Sequence, residues 1–338
     1  MSETQTQLSA PTWHESLWQP MARAIRGERV AHGLLVCGPP GVGKRHFAAR
    51  IVAALLCRDR QENADACGVC PACRQRLAGT HPDISRLVPD EPGRMIRVEQ
   101  VRAFSRRLYL TPQYDAGRIG WIEPVENLSP SAANILLKTL EEPPSSCHIV
   151  LVTDRLSALM STVRSRCQPW RVPPPPPQRA RDWLESNGTS AAGLDADSLR
   201  TPFAVIERNS RDYDTLSSDW DDTLSNVIRN REDTVSAAQR LAKSPADLFI
   251  DWLYRRASAL LTVALAPADT AGDTSERGGP DLPAPLMRIA QRLDPAALQP
   301  WCAQVSEAAR LAHTNADWQL VIESLLLNLK NSLKRKPS

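Results

Sequence analysis

Residues 134–167 read NILLKTLEEPPSSCHIVLVTDRLSALMSTVRSRC, and this stretch decides the fold. Leucines and an isoleucine recur at helical spacing among good helix formers, which predicts a helix over residues 132–142 that ends before two consecutive prolines. The apolar run that follows predicts a buried strand over residues 148–153. A strand that is apolar on both faces is typical of a parallel sheet covered by helices, so we expect an α/β domain.

Composition narrows the class of protein. At 338 residues the chain is longer than one hydrophobic core usually supports, so two or three domains are expected. Charged residues make up 23% and aromatic residues 5%, as in a soluble, helix-rich protein. The net charge of +3 is small, and any nucleic-acid contact is expected to be shared with partners. The sequence contains no membrane-span or signal-peptide pattern, which predicts a cytoplasmic location.

A phosphate-binding loop is predicted in HGLLVCGPPGVGKRHFA, residues 32–48, where a strand, a glycine-rich turn and a helix follow one another. The position after the loop lysine normally carries Ser or Thr, whose hydroxyl holds magnesium, but Arg45 stands there and supplies no metal ligand. The fold element is therefore expected to be present and its catalytic part damaged. The candidate nucleotide-binding residues are the loop glycines and the lysine: Gly38, Gly41, Gly43 and Lys44.

Four cysteines are concentrated in CRDRQENADACGVCPAC, residues 57–73. Their spacing, C-x9-C-x2-C-x2-C, brings four thiolates onto one short polar segment, which suits tetrahedral Zn²⁺ in a structural site. An iron–sulfur cluster uses similar spacings and is the alternative. Eight cysteines in a chain that shows no leader pattern also indicate a reducing compartment. The predicted ligands are Cys57, Cys67, Cys70 and Cys73.

The run LLKTLEEPP, followed about twenty residues later by SRC, resembles the clamp-loader ATPases of the AAA+ class, as does a cysteine module placed after the P-loop helix. The resemblance implies that Arg166, between Ser165 and Cys167, is an arginine finger that reaches the nucleotide of a neighbouring subunit. A guanidinium suits this role because it is always charged and presents a planar fork of donors to phosphate oxygens. The alternative is that Arg166 is an ordinary surface or salt-bridge arginine.

A second departure concerns the strand before this motif. Members of the family that hydrolyse nucleotide carry Asp-Glu there, for magnesium and for the attacking water, and the resemblance puts Glu123 and Pro124 at those positions. Proline has no titratable group and cannot act as a base. Together with Arg45, this implies a subunit that does not hydrolyse ATP, although nucleotide binding stays open because Gly43 and Lys44 are retained.

Two other functions are alternatives to this one. An active ATPase of the gamma/tau type would use Lys44 for phosphate and Glu123 for the metal. A stand-alone zinc-dependent DNA-binding protein is disfavoured by the small net charge. The resemblance implies that the chain works in DNA replication, inside a ring with gamma/tau ATPase subunits and the delta subunit of the DNA polymerase III clamp loader. It would meet the sliding clamp and primed DNA through that complex.

Five consecutive prolines, residues 173–177, predict a stiff extended connection that joins neither helix nor sheet, and hence a domain boundary. A loop is predicted at residues 266–284. The resemblance then implies three domains: an α/β AAA+ domain with a parallel sheet and an inserted zinc module (1–172, module 57–73), a small helical lid (173–209) and an all-α collar (210–338).

Overall fold

The structure, a computed structural model, describes residues 8–91, 94–192, 194, 196–209, 213–265, 282–291, 293–311 and 317–334. The chain divides into two compact units, one of residues 1–190 with 199–204 and the other of residues 191–198 with 205–338. The three-domain division with boundaries after residues 172 and 209 stays a prediction. Most of the loop predicted at 266–284 lies outside the described residues.

A five-stranded sheet lies at the centre of the first unit, and every pair of neighbouring strands is parallel. In space the strand order is β2-β3-β4-β1-β5, so β1 lies between β4 and β5, with Leu34 opposite Val150 and Gln168. The predicted parallel α/β sheet is confirmed. The strands are β1 (Gly33–Cys37), β2 (Ile84–Leu87), β3 (Arg118–Ile122), β4 (Cys147–Thr153) and β5 (Gln168–Arg171).

Helices cover both faces of this sheet. Alternate residues of β1 point to opposite faces, so Leu34 packs with Phe47 on one side and Leu35 packs with Leu136 on the other. Each face therefore has its own apolar core. The helices associated with this unit are α1 (Glu15–Arg26), α2 (Lys44–Leu56), α3 (Pro71–Leu77), α4 (Val98–Leu108), α5 (Pro130–Glu141), α6 (Ser161–Arg164) and α7 (Pro177–Ser186).

The two elements predicted in the opening stretch are confirmed, with small shifts at their ends. Helix α5 begins two residues earlier than expected, because the Ser129 hydroxyl accepts a hydrogen bond from Ala132 N and Pro130 occupies the first turn. Strand β4 begins one residue earlier, at Cys147. The apolar pattern does not mark the first residues of either element, so it predicts both starts slightly too late.

The prediction that all five prolines stay outside helices is wrong at the last of them. Helix α7 begins at Pro177, and Pro176 is its N-cap. Proline fits the first position of a helix because the N–H that it lacks would have no partner there. The preceding prolines remain outside the described helices and strands, as predicted.

The second unit is built from helices in its described part. Its core surrounds four aromatic side chains, Trp220, Phe249, Trp252 and Trp301, all almost completely buried. The helices after α7 are α8 (Ala196–Arg200), α9 (Pro202–Asn209), α10 (Tyr213–Ile228), α11 (Thr234–Leu241), α12 (Ala246–Leu265), α13 (Ala284–Ala290), α14 (Pro295–Leu311) and α15 (Trp318–Lys334). None of the helices in the part of the chain that the structure describes has the length and apolarity needed to cross a membrane.

Candidate functional site

The predicted phosphate-binding loop connects β1 to α2. Gly43 ends it in the left-handed region, at φ +92°, which side chains other than glycine rarely adopt. A Cβ atom at Gly43 would lie 2.4 Å from a ring carbon of Phe203. The loop thus lies between a strand and a helix, as predicted, but another part of the same chain packs directly against it.

Lys44 follows the loop, and its ammonium group already has partners. Its Nζ lies 2.5 Å from a carboxylate oxygen of Asp154, just after β4, and donates a hydrogen bond to the carbonyl oxygen of Pro39. The side chain is only 4% exposed. In nucleotide-binding P-loops this lysine reaches the phosphates. Here a carboxylate of the chain itself neutralises its charge.

Arg45 forms an ion pair with Glu123, at the end of β3. The other carboxylate oxygen of Glu123 accepts a hydrogen bond from Trp121 Nε1 at 3.0 Å. Both oxygens of the Glu123 carboxylate are therefore engaged. Pro124 follows directly, so neither of these two positions offers a free carboxylate.

Aromatic residues distant in sequence cover the loop. Phe203 N donates a hydrogen bond to Gly41 O at 3.0 Å, and its ring packs on Trp183 with 4.6 Å between centroids. From the N-terminal side, Trp13 Nε1 donates to Val42 O at 3.1 Å. These contacts cover the loop at Gly41 and Val42. Sequence reasoning missed Phe203, because no local motif marks a residue that far along the chain.

Two histidines beside the loop should make the first unit sensitive to acid. Burial lowers the pKa of His14 to about 3 and that of His46 to about 4, so both rings are neutral near pH 7 in the folded protein. Unfolded histidine takes up its proton below about pH 6.5. The stability that these rings contribute is therefore complete above that pH and is lost as the pH falls toward their folded values.

We expect the urea midpoint of the wild-type chain to fall more steeply between about pH 6.5 and 4 than that of His46→Gln. The two proteins share every other titrating group, so the difference in slope isolates this ring. Equal slopes would contradict the assignment of a depressed pKa to His46.

The segment Ser165-Arg166-Cys167 joins α6 to β5, and its outer residues fix the middle one. The Ser165 hydroxyl donates to Thr162 O at 3.1 Å, which closes the last turn of the short helix. Cys167 is 7% exposed and packs in the core beneath α5, where burial raises the pKa of its thiol to about 12. Cys167 therefore stays protonated near pH 7 and fixes this segment by packing in the core.

Arg166 lies between these two fixed residues and points outward. Its side chain is 36% exposed, forms an ion pair with Glu141 and donates to Thr162 O at 2.9 Å. Glu141 ends α5, within the LLKTLEEPP run, so the two motifs noted in the sequence meet at this ion pair. The guanidinium is held in a defined place while part of it still faces solvent.

The four cysteines of the 57–73 segment converge. Their Sγ atoms all lie within 4.8 Å of one another, so together they can hold a metal ion. Cys57 ends α2, whereas Cys70 is the N-cap of α3. Backbone N–H groups donate to two of the sulfurs: Cys67 N to Cys57 Sγ at 3.2 Å, and Cys70 N to Cys67 Sγ at 3.3 Å.

This donor set fits a structural zinc ion. Zn²⁺ binds thiolates at about 2.3 Å, which puts tetrahedral ligands about 3.8 Å apart, within the spread of these four sulfurs. Three of the cysteines are buried. A site whose four positions all come from the chain leaves none for a substrate.

The chain has clear relatives. A model of the family described as "DNA polymerase III, delta subunit" matches residues 13–176. DNA polymerase III subunit delta' of Pseudomonas aeruginosa is 38% identical over 172 residues, about half (51%) of either chain. Subunit delta' of Escherichia coli is 28% identical over 341 residues, 95% of this chain and 96% of that one. A crystal structure of a DNA polymerase III gamma subunit-related protein from Thermotoga maritima covers 94% of this chain and 99% of its own, at 15% identity and a TM-score of 0.48.

These relatives, together with the parallel sheet and its strand order, identify a clamp-loader subunit of the AAA+ class. The resemblance drawn from LLKTLEEPP and SRC is therefore confirmed. Among clamp-loader subunits, the chain belongs to the delta-prime family of DNA polymerase III.

Proposed function

We propose that this protein is a clamp-loader subunit that hydrolyses no ATP and donates Arg166 to the nucleotide of a neighbouring ATPase subunit. One contrast carries the proposal: the chain's own P-loop is closed by its own side chains, while Arg166 is held outward and part-exposed. The neighbour would be a gamma/tau subunit, and the delta subunit, the sliding clamp and primed DNA would be met through the assembled ring. The compartment would be the cytoplasm.

The closed P-loop supports the silent part of this role. A nucleotide would have to displace Asp154 from Lys44 and Phe203 from the loop before its phosphates reached the backbone N–H groups. Magnesium would in addition meet Arg45 in place of a hydroxyl ligand. Each displacement breaks an interaction that already stabilises the fold, so nucleotide binding would have to offset its loss.

The position of Arg166 supports the active part. An arginine finger must be rigid at its base, since a small misplacement of a charged group weakens its effect on the transition state. Ser165 and Cys167 supply that rigidity through a hydrogen bond and core packing. Exchange of Glu141 for a phosphate oxygen would then move the guanidinium from one anion to another, without leaving its charge unpaired.

We assign zinc to the four cysteines as a structural ion that joins the end of α2 to the start of α3. In this role it would hold residues 57–73 against the sheet domain and take no part in hydrolysis. The three-domain organisation, with a lid at 173–209 and a collar from 210, is part of the same proposal.

The alternative, an active ATPase of the gamma/tau type, needs Lys44 for phosphate and Glu123 for the metal. Both side chains are committed elsewhere, to Asp154 and to Arg45 respectively. The geometry therefore counts against this function.

The experiment that tests the silent role is an assay of the purified chain alone. We expect no ATP hydrolysis and no saturable binding of a fluorescent ATP analogue, because Lys44 and the loop are already engaged. A purified gamma/tau subunit serves as the positive control, and Lys44→Ala as the matched variant. Hydrolysis by the wild-type chain that Lys44→Ala abolishes would instead establish the ATPase.

A further inference from the structure

A second polar cavity lies in the first unit, apart from the P-loop and the SRC segment. Its volume is about 510 Å³, within the range of small-molecule sites. The wall is formed by α2, the end of α3 and the turn after it, β2, α4 and β3. All of the charged side chains among its described lining residues are arginines: Arg76, Arg86 and Arg107.

His81 supplies the most specific feature of this cavity. It is 5% exposed, and its Nδ1 accepts a hydrogen bond from Asp83 N at 3.2 Å. The ring nitrogen that accepts cannot carry the proton of the neutral ring, so Nε2 is the N–H donor. Within the described residues, this buried Nε2 has no hydrogen-bond partner. A buried donor without an acceptor is costly, but this nitrogen is closed off from solvent, so a ligand would reach it only after the ring shifts.

Arg76 presents a second donor of the same kind. Its Nε is buried and has no hydrogen-bond partner in the described part of the chain. Burial lowers the pKa of Arg76; the thiols of Cys73 and Cys57 act in the opposite direction, and the Arg86 guanidinium lowers it further. Arg76 therefore lies within electrostatic reach of both the cysteine cluster and Arg86.

The remaining wall suits a ligand with a small body attached to its charge. The Arg86 guanidinium carbon lies 5.3 Å from the centre of the Trp121 ring, and Val52 and Ile84 add apolar surface. The nearest buried carboxylate, Asp83, is turned away from the ligand space and accepts from Gln113 N at 2.8 Å and Tyr114 N at 2.9 Å. It does not line the cavity.

We propose that this cavity binds the phosphate group of a small anionic ligand. Guanidinium groups bind phosphate through paired, charge-assisted hydrogen bonds, and three arginines line this cavity. A cavity of this volume admits free phosphate or a mononucleotide, whereas a DNA strand needs a groove that continues along its backbone. This site is separate from the proposed arginine finger and does not depend on it.

The test titrates the full-length, zinc-loaded chain separately with potassium phosphate, with AMP and with a single-stranded DNA oligonucleotide. Binding is followed by ³¹P line broadening and by the His81 ring signals in NMR. Potassium chloride at matched ionic strength controls for screening. Saturable changes with phosphate, AMP or both support the site, and the stronger ligand identifies the source of the phosphate. No saturable change with either, or binding only of single-stranded DNA, would overturn the proposal.

Two arginines of α4 provide a matched pair of variants. Arg107 lines the cavity, whereas Arg102 is exposed on the same helix and lies outside the lining. We expect Arg107→Gln to weaken phosphate binding about tenfold or more, the loss of one charge-assisted hydrogen bond, and Arg102→Gln to leave it unchanged. Equal weakening by both variants would mean attraction to a general positive surface and would also sink the proposal.

Discussion

Replacing Arg166 by alanine is expected to slow ATP hydrolysis at the neighbouring subunit's site by about 10³- to 10⁵-fold, the range that arginine fingers contribute. The alanine cannot supply the charge that stabilises the transferring phosphoryl group. The side chain is 36% exposed, so its removal should leave the fold of this chain intact. The loss would thus appear in the partner's activity and not in the stability of the variant.

The measurement uses a reconstituted loader in which the other ATPase sites are silenced by changing their P-loop lysines. The remaining rate then reports the site that faces Arg166. Arg166→Lys keeps the charge but not the planar donor fork, and is expected to recover only part of the rate. Arg164→Ala, two residues earlier at the end of α6, is the control and should have little effect. Unchanged hydrolysis and clamp loading in Arg166→Ala would refute the proposed role.

Glu141→Gln tests the ion pair between Glu141 and Arg166. It removes the carboxylate that holds Arg166 in the isolated chain and keeps the size of the side chain. If Arg166 exchanges Glu141 for phosphate on assembly, this variant should retain hydrolysis by the neighbour, in contrast to Arg166→Ala.

Loss of the metal is expected to have the largest effect on stability. Structural zinc contributes roughly 10 to 16 kcal/mol of apparent binding free energy in zinc-finger peptides, and much of it is folding free energy. We expect Cys73→Ser to lose its zinc and to unfold locally over residues 57–73, since Cys73 is buried at the centre of the cluster. Chelation of the wild-type chain should have the same effect.

Elemental analysis and protease sensitivity of the purified variants provide the readouts. Cys302→Ser is the matched control: Cys302 lies on α14 of the second unit and is not one of the four clustered cysteines. It should keep its zinc and its resistance to protease. Full zinc content in Cys73→Ser would contradict the assignment, and iron with visible absorption in the wild-type chain would favour an iron–sulfur cluster instead.

Local features of the fold followed well from sequence because they depend on near neighbours. The helix α5 and the strand β4 were predictable from apolar spacing and proline stops. The convergence of the four cysteines was predictable from their short spacing in the sequence. The one clear error, at Pro177, arose from treating a proline run as uniform, although its last member can begin a helix.

The sequence by itself determined the parallel sheet and the cysteine cluster, since each rests on a short pattern with a direct physical meaning. The resemblance to clamp loaders rests instead on the motifs LLKTLEEPP and SRC. Only the tertiary structure decided what surrounds them. Phe203 reaches the P-loop and Glu141 reaches Arg166 through packing between elements distant in sequence, and the arginine cavity forms only where helices and strands meet. Such contacts depend on how the chain returns to the same place in space, which no local spacing encodes.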